Sequence, residues 1–216
     1  MRARCGGASL TQAIADLAAP AGVGFRSGRI ESIPESFGNV IADQARYHDL
    51  TLFGWDSDDD TRRSAIEAMV FSSGRPVVML PERAELPNYD TIVIAWDGSA
   101  VAARAVADAG HFLVKAQKVI VATVTDEKPL EEDKLAERLA EHLGRRGIPA
   151  EARGIVGHSR PIAQTLQDEA LDEALAANAG LLVMGAYGHS RLRDFVLGGA
   201  TKGIIADLRV PTLLSH

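Results

Sequence analysis

The chain has 216 residues, a formal net charge of -6 and a single cysteine. Hydrophobic residues make up 46% and charged residues 24%, which is the balance of a globular protein with an apolar core. The negative charge argues against a nucleic-acid binder, because phosphate contacts need clustered Lys and Arg. One cysteine excludes an intrachain disulfide and fits a reducing compartment. No apolar run reaches the roughly 20 residues of a membrane helix, so we expect a cytoplasmic protein that does not bind membranes.

The first part of the chain carries alternating helix and strand patterns. Short apolar runs are typical of buried strands, whereas apolar residues spaced about 3.6 apart indicate helices. The predicted elements are helix 9–19, strand 23–31, helix 34–47, strand 50–55, helix 61–72 and strand 76–80.

The second part continues the alternation and is more complete. The predicted elements are strand 91–96, helix 99–115, strand 118–125, helix 130–146, strand 150–156, helix 161–178, strand 181–185, helix 199–208 and strand 211–215. Strands that alternate with helices form βαβ units, in which helices cover both faces of a parallel sheet. The predicted fold class is therefore α/β, with a doubly wound, five-stranded parallel sheet.

Two stretches of the chain match each other and predict an internal repeat. Residues 48–81 align with residues 179–216, since each has a strand ending in Gly and a last strand preceded by Arg and Pro. The first half has no counterpart of the strand, helix and strand that open the second half. We therefore predict an incomplete, degenerate repeat over 1–82 and a complete domain over 89–216. Either the chain is a shortened form of a longer tandem protein, or another chain supplies the missing elements.

The most informative segment is GAYGHSRLRDFVLGGAT, which runs from Gly185 to Thr201. Glycines at the end of a strand let a ligand approach the backbone. Gly198 and Gly199 precede a helix, where unpaired N–H groups and the helix dipole favour a phosphate. The same glycines also suit tight turns and close helix packing, and neither the Walker nor the GxGxxG spacing is present. The residues alone leave phosphate binding and a structural loop both open.

The glycine spacing G-x2-G-x9-G resembles the ATP-binding loop of universal stress proteins. The resemblance extends to the strand that ends in AWDGS, to the strand LLVMG and to the closing VPTLLSH, so it covers nearly all of 89–216 and, more weakly, 9–81. It implies a Rossmann-like fold of the adenine nucleotide alpha hydrolase type. It also implies two tandem repeats, of which the first lacks its opening β-α-β.

The resemblance implies a nucleotide site, whose residues follow from motif position. Asp97 would lie by the adenine and ribose, next to Ala95 and Ser99, while Val124 and Met184 would flank the base. The phosphate loop would comprise Gly185, Gly188, His189, Gly198, Gly199, Ala200 and Thr201. The implied ligand is ATP or AMP, with Mg²⁺ only when ATP is bound. We expect no catalytic residue and no metal site made by the protein itself.

One position departs from the family's ATP-binding pattern. That pattern has Ser or Thr after the last glycine of the loop, and this chain has Gly199. The hydroxyl contact to the terminal phosphates is lost there, although Thr201 could supply a hydroxyl from the first turn of the helix. The preferred nucleotide therefore stays open.

Several candidate residues also have ordinary structural explanations. Asp97 and Ser99 lie between a strand and a helix, where Asp-Gly-Ser is common turn and capping chemistry. His189 either meets phosphate charge or lies on a solvated loop face. In the first half, a run of carboxylates over 56–60 replaces the second glycine and would repel phosphates. We expect no nucleotide and no metal ion there.

The last strand of each half is apolar and has to be covered along its edge. The resemblance implies antiparallel pairing of these strands, either within one chain as a pseudo-dimer or between two chains as a homodimer. The leading prediction is a regulatory adenine-nucleotide-binding protein of the stress response that is not an enzyme. The alternatives are a nucleotide-free dimerisation scaffold and a slow ATP hydrolase. An evident base and a Walker lysine are both missing for the hydrolase.

Overall fold

The computed structural model describes residues 3–55, 60–81, 88–126, 134–177, 179–187 and 199–216. The chain divides into two compact units, Met1–Ile33 and Pro34–His216. The first unit contains helix α1 (Ala3–Ala18), followed by turns and by residues that belong to no helix or strand. Within the described ranges, no helix is long and apolar enough to cross a lipid bilayer.

The second unit contains the remaining helices and strands. They are α2 (Pro34–Ala45), β1 (Thr51–Trp55), α3 (Asp60–Ser72), β2 (Val77–Pro81), β3 (Asn88–Ala95), α4 (Ala100–Asp108), α5 (Gly110–Leu113), β4 (Lys118–Val124), α6 (Leu135–Arg145), β5 (Ala150–Ile155), α7 (Ile162–Ala177), β6 (Ala179–Gly185), α8 (Gly199–Ala206) and β7 (Thr212–Ser215). The helix predicted at 99–115 is thus two helices, which meet at Ala109 and Gly110. The division falls at Gly110 because glycine has a low helix propensity. Part of the helix predicted at 130–146 lies outside the described residues.

The described strands form one mixed sheet in the order β1-β2-β7-β6-β3-β4-β5. The five strands of the second half pair in parallel, as predicted. β2 pairs antiparallel with β7, and β1 pairs in parallel with β2. The predicted α/β class is confirmed, but the sheet has seven described strands rather than five, because β1 and β2 continue it beyond β7.

Alternate residues of the central strands face opposite layers of helices. On one face, Val93, Ile120 and Leu182 pack with residues of α3, α7 and α8. On the other face, Ile92 and Val183 pack with residues of α4, α5 and α6. Both layers are apolar and buried, which is why the strand sequences are nearly continuous hydrophobic runs.

The register of β1 on β2 matches the register of β6 on β7. Leu52 lies beside Val78, as Val183 lies beside Leu213, and Val78 in turn pairs with Leu213. The antiparallel pairs on either side are symmetric about this central pair: Val77 with Leu214, and Met79 with Thr212. This is the pairing that an internal repeat would produce, and the repeat itself stays a prediction.

The end of α1 has the same geometry as the end of α6. Gly22 and Gly147 both have positive φ angles, of 67° and 77°. The N–H of Val23 bonds the carbonyl of Ala18 at 3.0 Å, and the residues that follow Gly147 repeat this pattern, with Ile148 N–H bonding the carbonyl of Leu143 at 3.1 Å. Both helices therefore end at a left-handed glycine, and the N–H of the residue after it satisfies a carbonyl of the last turn.

The strand predicted at 23–31 does not form, so that prediction was wrong. Residues 23–33 carry no strand pairing in the structure and are exposed throughout. In the second half, the segment after α6 becomes β5 because it pairs with β4. Among the described residues of the first half there is no counterpart of β4, so the backbone of 23–31 has no neighbouring strand to pair with.

Candidate functional site

The carboxyl ends of β3, β4 and β6 lie together at one edge of the sheet. Ala95 at the end of β3 pairs with Ala122 of β4, and the N–H of Trp96 donates to the carbonyl of Ala122 at 2.8 Å. On its other side β3 pairs with β6, so the strand order reverses at β3. Ligands of open α/β sheets bind outside the carboxyl ends at such a reversal. Ala95 and Val124 are half-buried there.

Asp97 and Ser99 form the turn that leads from β3 into α4. The N–H of Ser99 donates to Oδ1 of Asp97 at 2.9 Å, and Gly98 between them has a φ of 77°. Oγ of Ser99 accepts the N–H of Ala102 at 3.2 Å and so caps α4. The Asp97 side chain is exposed, and Oδ2 makes no hydrogen bond to a described residue. The predicted turn and helix cap are thus both present, and Oδ2 of Asp97 remains at the strand edge without a hydrogen bond to a described residue.

Gly185, at the end of β6, lies directly under the first turn of α4. A Cβ built on it would come within 2.6 Å of the Ala102 nitrogen and of the Val101 carbonyl carbon. Glycine is therefore needed here for helix packing. Sequence reasoning assigned Gly185 to a phosphate loop, and the structure gives it a packing role of its own.

The first turn of α8 is joined to the end of β6 by a hydroxyl. Oγ1 of Thr201 accepts the N–H of Tyr187 at 3.2 Å, and Thr201 is only 3% exposed. Gly199 at the start of α8 is exposed, with open space where a Cβ would be, and Ala200 packs partly on the core. Of these residues, Gly199 presents the accessible backbone, while Thr201 has a structural hydrogen bond.

Four predicted site residues remain: Met184, Gly188, His189 and Gly198. Met184 is 4% exposed and belongs to the core, so its contact with a base stays a prediction. Gly188, His189 and Gly198 lie outside the described residues.

Tyr187 is a structural residue of this region that sequence reasoning missed. Its ring lies 4.4 Å from the ring of Phe71, and its hydroxyl donates to Oε1 of Glu67 at 3.4 Å. Burial, followed by the negative charge of Glu67, raises the pKa of Tyr187 well above its usual range. Its φ of 57° is unusual for an aromatic residue. No local pattern could reveal this role, because Glu67 and Phe71 belong to α3, more than a hundred residues earlier.

Asp126, just after β4, was missed as well. Its carboxylate accepts the N–H groups of Gly157 at 2.7 Å and His158 at 2.9 Å. The hydrogen bond from Gly157 is the main reason that the pKa of Asp126 is lowered. This pairing fixes the start of the β5–α7 loop at the same sheet edge. An acidic residue after a buried strand is the only sequence signal for it.

A cavity of about 410 Å³ lies between α3 and α8. It is lined by Arg63, Glu67, Lys202, Ile205 and Ala206, none of which sequence analysis assigned to the site. Within the described residues, no group of three or more His, Cys, Asp or Glu side chains could hold a metal ion. None of the predicted nucleotide residues that the structure describes lines this cavity.

Comparison with known proteins identifies relatives of the chain. Residues 88–216 match the model of the universal stress protein family. Universal stress protein Slr1230 of Synechocystis sp. is 29% identical over 154 residues, which are 68% of this chain and 49% of that protein. The chain thus spans about half the length of this curated relative.

Solved structures share the fold over nearly the whole chain. A universal stress protein from Archaeoglobus fulgidus has a TM-score of 0.65 at 17% identity, over 97% of this chain and 76% of that chain. Protein PA1789 of Pseudomonas aeruginosa PAO1, described as functionally unknown, has a TM-score of 0.53 at 16% identity, over 97% of this chain and 77% of that chain. Because the family model matches more than half of the residues, the chain belongs to the universal stress protein family.

Proposed function

We propose that this chain is a regulatory protein of the stress response that binds an adenine nucleotide, ATP or AMP, in the cytoplasm. The observation that carries the proposal is the position of Asp97. Its carboxylate is exposed at the strand-order reversal and is oriented by the Ser99 N–H at 2.9 Å. A charged acceptor held in one orientation before the ligand arrives loses little entropy on binding.

The ribose end of the nucleotide would bind at Asp97. One carboxylate oxygen already accepts the Ser99 N–H, so the other is left to accept a ribose hydroxyl. Ala95 and Val124 are half-buried and provide apolar surface for the base on either side. Hydrogen bonds to a charged acceptor are worth about 1.5–3 kcal/mol.

The phosphate end would bind near the start of α8. Gly199 is exposed at that helix N-terminus, with nothing within 4 Å of its missing Cβ. Unpaired N–H groups and the helix dipole favour an anion at this position. Mg²⁺ would accompany ATP and not AMP.

The function proposed needs binding and no catalysis. Among the described residues of the strand edge, Asp97 is the only carboxylate that we assign to the ligand, and it is engaged in a turn at the ribose end. A general base for hydrolysis would have to lie beside the terminal phosphates instead. The antiparallel pairing of β2 with β7 supports an intrachain pseudo-dimer as the assembly in which nucleotide occupancy is read out.

Calorimetric titration with ATP and with AMP tests the proposal. The Asp97→Asn variant keeps the turn, because its amide oxygen can still accept the Ser99 N–H, but it presents an NH₂ donor where the ligand needs an acceptor. We expect the Kd to rise about tenfold to hundredfold, in line with the loss of a charged hydrogen bond. The matched control is Asp43→Asn, on the surface of α2, which should leave the Kd unchanged.

Two outcomes would overturn the proposal. If millimolar ATP and AMP produce no heat with the unaltered chain, the nucleotide-free scaffold is the better account. If ATP binds and inorganic phosphate accumulates during the titration, the hydrolase alternative takes its place.

A further inference from the structure

The cavity between α3 and α8 lies where the antiparallel pairing of β2 with β7 brings the two helices together. Glu67 of α3 and Lys202 of α8 precede the central pair of these strands, Val78 and Leu213, by the same number of residues. Both helices pack on the same face of the sheet. Glu67 and Lys202 therefore have equivalent places on the two sides of the cavity, and they carry opposite charges.

The lining of the cavity is partly apolar and partly charged. Ile205 is 2% exposed and provides apolar surface in its depth, whereas Lys202 and Ala206 are exposed and lie at its opening. Arg63 and Glu67 are half-buried. The volume of about 410 Å³ falls within the range of about 300–1,000 Å³ that is typical of small-molecule sites. The cavity thus has the size and the mixed lining of such a site.

Arg63 is a cation of this lining without an anionic partner. Its Nε is inaccessible to solvent, and the guanidinium forms no hydrogen bond or ion pair with a described residue. Arg209 also has an unbonded Nε, but its Nη1 donates to Asp168 at 2.9 Å and its Nη2 to the carbonyl of Gln164 at 3.2 Å. A buried donor without an acceptor is costly. An anion that enters the cavity therefore gains hydrogen bonds from Arg63 without displacing a protein partner.

The other two charged residues of the lining differ in how they are bonded. Lys202 makes no hydrogen bond or ion pair within the part of the chain that the structure describes. The carboxylate of Glu67 accepts the hydroxyl of Tyr187 at 3.4 Å. Together with Arg63, the lining carries a net charge of one positive unit. One negative charge neutralises the site, whereas a dianion leaves excess negative charge beside Glu67.

We propose that the cavity between α3 and α8 binds a small organic monocarboxylate. Its carboxylate accepts hydrogen bonds from the guanidinium of Arg63, whose planar fork is suited to carboxylate groups. The ammonium of Lys202 adds attraction at the opening of the cavity. The carbon chain of the ligand packs against Ile205 and Ala206. The site is separate from the nucleotide site, since none of the described residues assigned to the nucleotide lines it.

The lining favours a monocarboxylate over inorganic phosphate for two reasons. The charge of a phosphate dianion exceeds the single positive charge of the lining. Phosphate also has no apolar part, so it leaves the surface of Ile205 in contact with water. A short carbon chain removes that surface from water, and each buried methylene group contributes about 0.8 kcal/mol.

Glu67 connects the cavity to the end of β6 through Tyr187. The Tyr187 hydroxyl bonds Glu67, and its N–H bonds Oγ1 of Thr201 in α8. Burial and Glu67 raise the pKa of Tyr187, while the charge of Arg63 opposes them, so the guanidinium acts electrostatically on this hydroxyl. A carboxylate bound to Arg63 changes that field. The amide and ring signals of Tyr187 therefore report occupancy of the cavity without any nucleotide.

An NMR titration of the full chain, labelled with ¹⁵N and free of nucleotide, tests the proposal. The probe is sodium butyrate, which joins one carboxylate to a short carbon chain. We expect shifts in the amides of α3, α8 and Tyr187 that saturate at millimolar concentrations, as suits so small a ligand. Butyramide, which has the same chain without the charge, and sodium chloride at the same ionic strength should give no saturable shifts there.

Two variants separate ligand binding from a structural role of Arg63. Arg63→Met retains the length of the side chain and removes its charge, so the Kd for butyrate should rise at least tenfold. The matched control is Arg146→Met, exposed at the end of α6 on the other face of the sheet, which should keep the Kd. Without butyrate, Arg63→Met should unfold at the same urea concentration as the unaltered chain or at a higher one, because an unpaired buried charge is removed.

Four results would overturn the proposal. The first is the absence of saturable shifts in α3 and α8, and the second is an equal Kd for the unaltered chain and Arg63→Met. The third is a lower urea midpoint of Arg63→Met without butyrate, which would give the arginine a structural role. The fourth is tighter binding of inorganic phosphate, or of butyramide, than of butyrate. Because the titration contains no nucleotide, each of these results leaves the proposed nucleotide function untouched.

Discussion

Replacing Gly185 by alanine tests whether the end of β6 is shaped by packing against α4. The new Cβ would lie 2.6 Å from two backbone atoms, the Ala102 nitrogen and the Val101 carbonyl carbon. Ordinary contacts of this kind are about 3.5 Å or longer, so the start of α4 would have to move by about 1 Å. Overpacking of this kind costs about 1–3 kcal/mol of unfolding free energy.

The matched control is Gly54→Ala, in the equivalent position of β1. No atom lies within 4 Å of its Cβ, and its φ is not positive. An alanine there lowers the conformational entropy of the unfolded chain, so it should stabilise the protein by about 0.4–1 kcal/mol or leave its stability unchanged. The unfolding free energies of the two variants should therefore differ by at least about 1 kcal/mol, with Gly185→Ala the less stable.

Urea unfolding followed by circular dichroism measures both free energies. For a chain of this size, a loss of 1 kcal/mol corresponds to a fall of about 2–4 °C in Tm. Equal unfolding free energies for the two variants would refute the reasoning, because the contact between position 185 and α4 would then have no effect on stability. A destabilised Gly185→Ala would also mean that nucleotide loss in a Gly185 variant is no proof of a phosphate contact.

Three further predictions concern the helix α8, the strand β7 and Tyr187. Thr201→Val removes the acceptor of the Tyr187 N–H and should speed exchange of that amide at least tenfold, whereas Thr201→Ser should not. Leu213→Lys places a charge in the fully buried pair with Val78 and should lower the unfolding free energy by several kcal/mol; an unchanged melting curve would contradict this. Burial and Glu67 raise the pKa of Tyr187 from about 10. The contribution of its protonated hydroxyl to the unfolding free energy is therefore complete below pH 10 and is lost as the pH rises above 10. Unfolding free energies measured between about pH 8 and pH 11 should therefore fall more steeply for the unaltered chain than for Tyr187→Phe.

The parallel core could be predicted because its signal is local. Each strand of the second half is a short apolar run bounded by helical spacing, and β6 ends in glycine where the helix approaches. The continuation of the sheet through β2 and β1 depends on pairing between Val78 and Leu213, which lie far apart in the chain. The sequence at 23–31 was predicted as a strand, but a strand forms only beside a neighbouring strand, and the described residues of the first half provide none.

The residues of the candidate site also differ in whether the sequence alone could predict them. Asp97 and Ser99 were predictable, because a strand, an Asp-Gly-Ser turn and a helix follow one another directly. Tyr187 and Asp126 were not, because their partners come from other elements of the sheet and helix layers. The burial of Thr201 also depends on tertiary packing, and a hydroxyl in the first turn of a helix gives no sign of it.

Mass spectrometry of the small molecules released from gently purified protein tests the central claim most directly. We predict an adenine nucleotide at close to one equivalent per chain, and its loss in the Asp97→Asn variant with the fold retained. Protein that is folded and free of nucleotide, and that stays so after incubation with millimolar ATP or AMP, would contradict the claim.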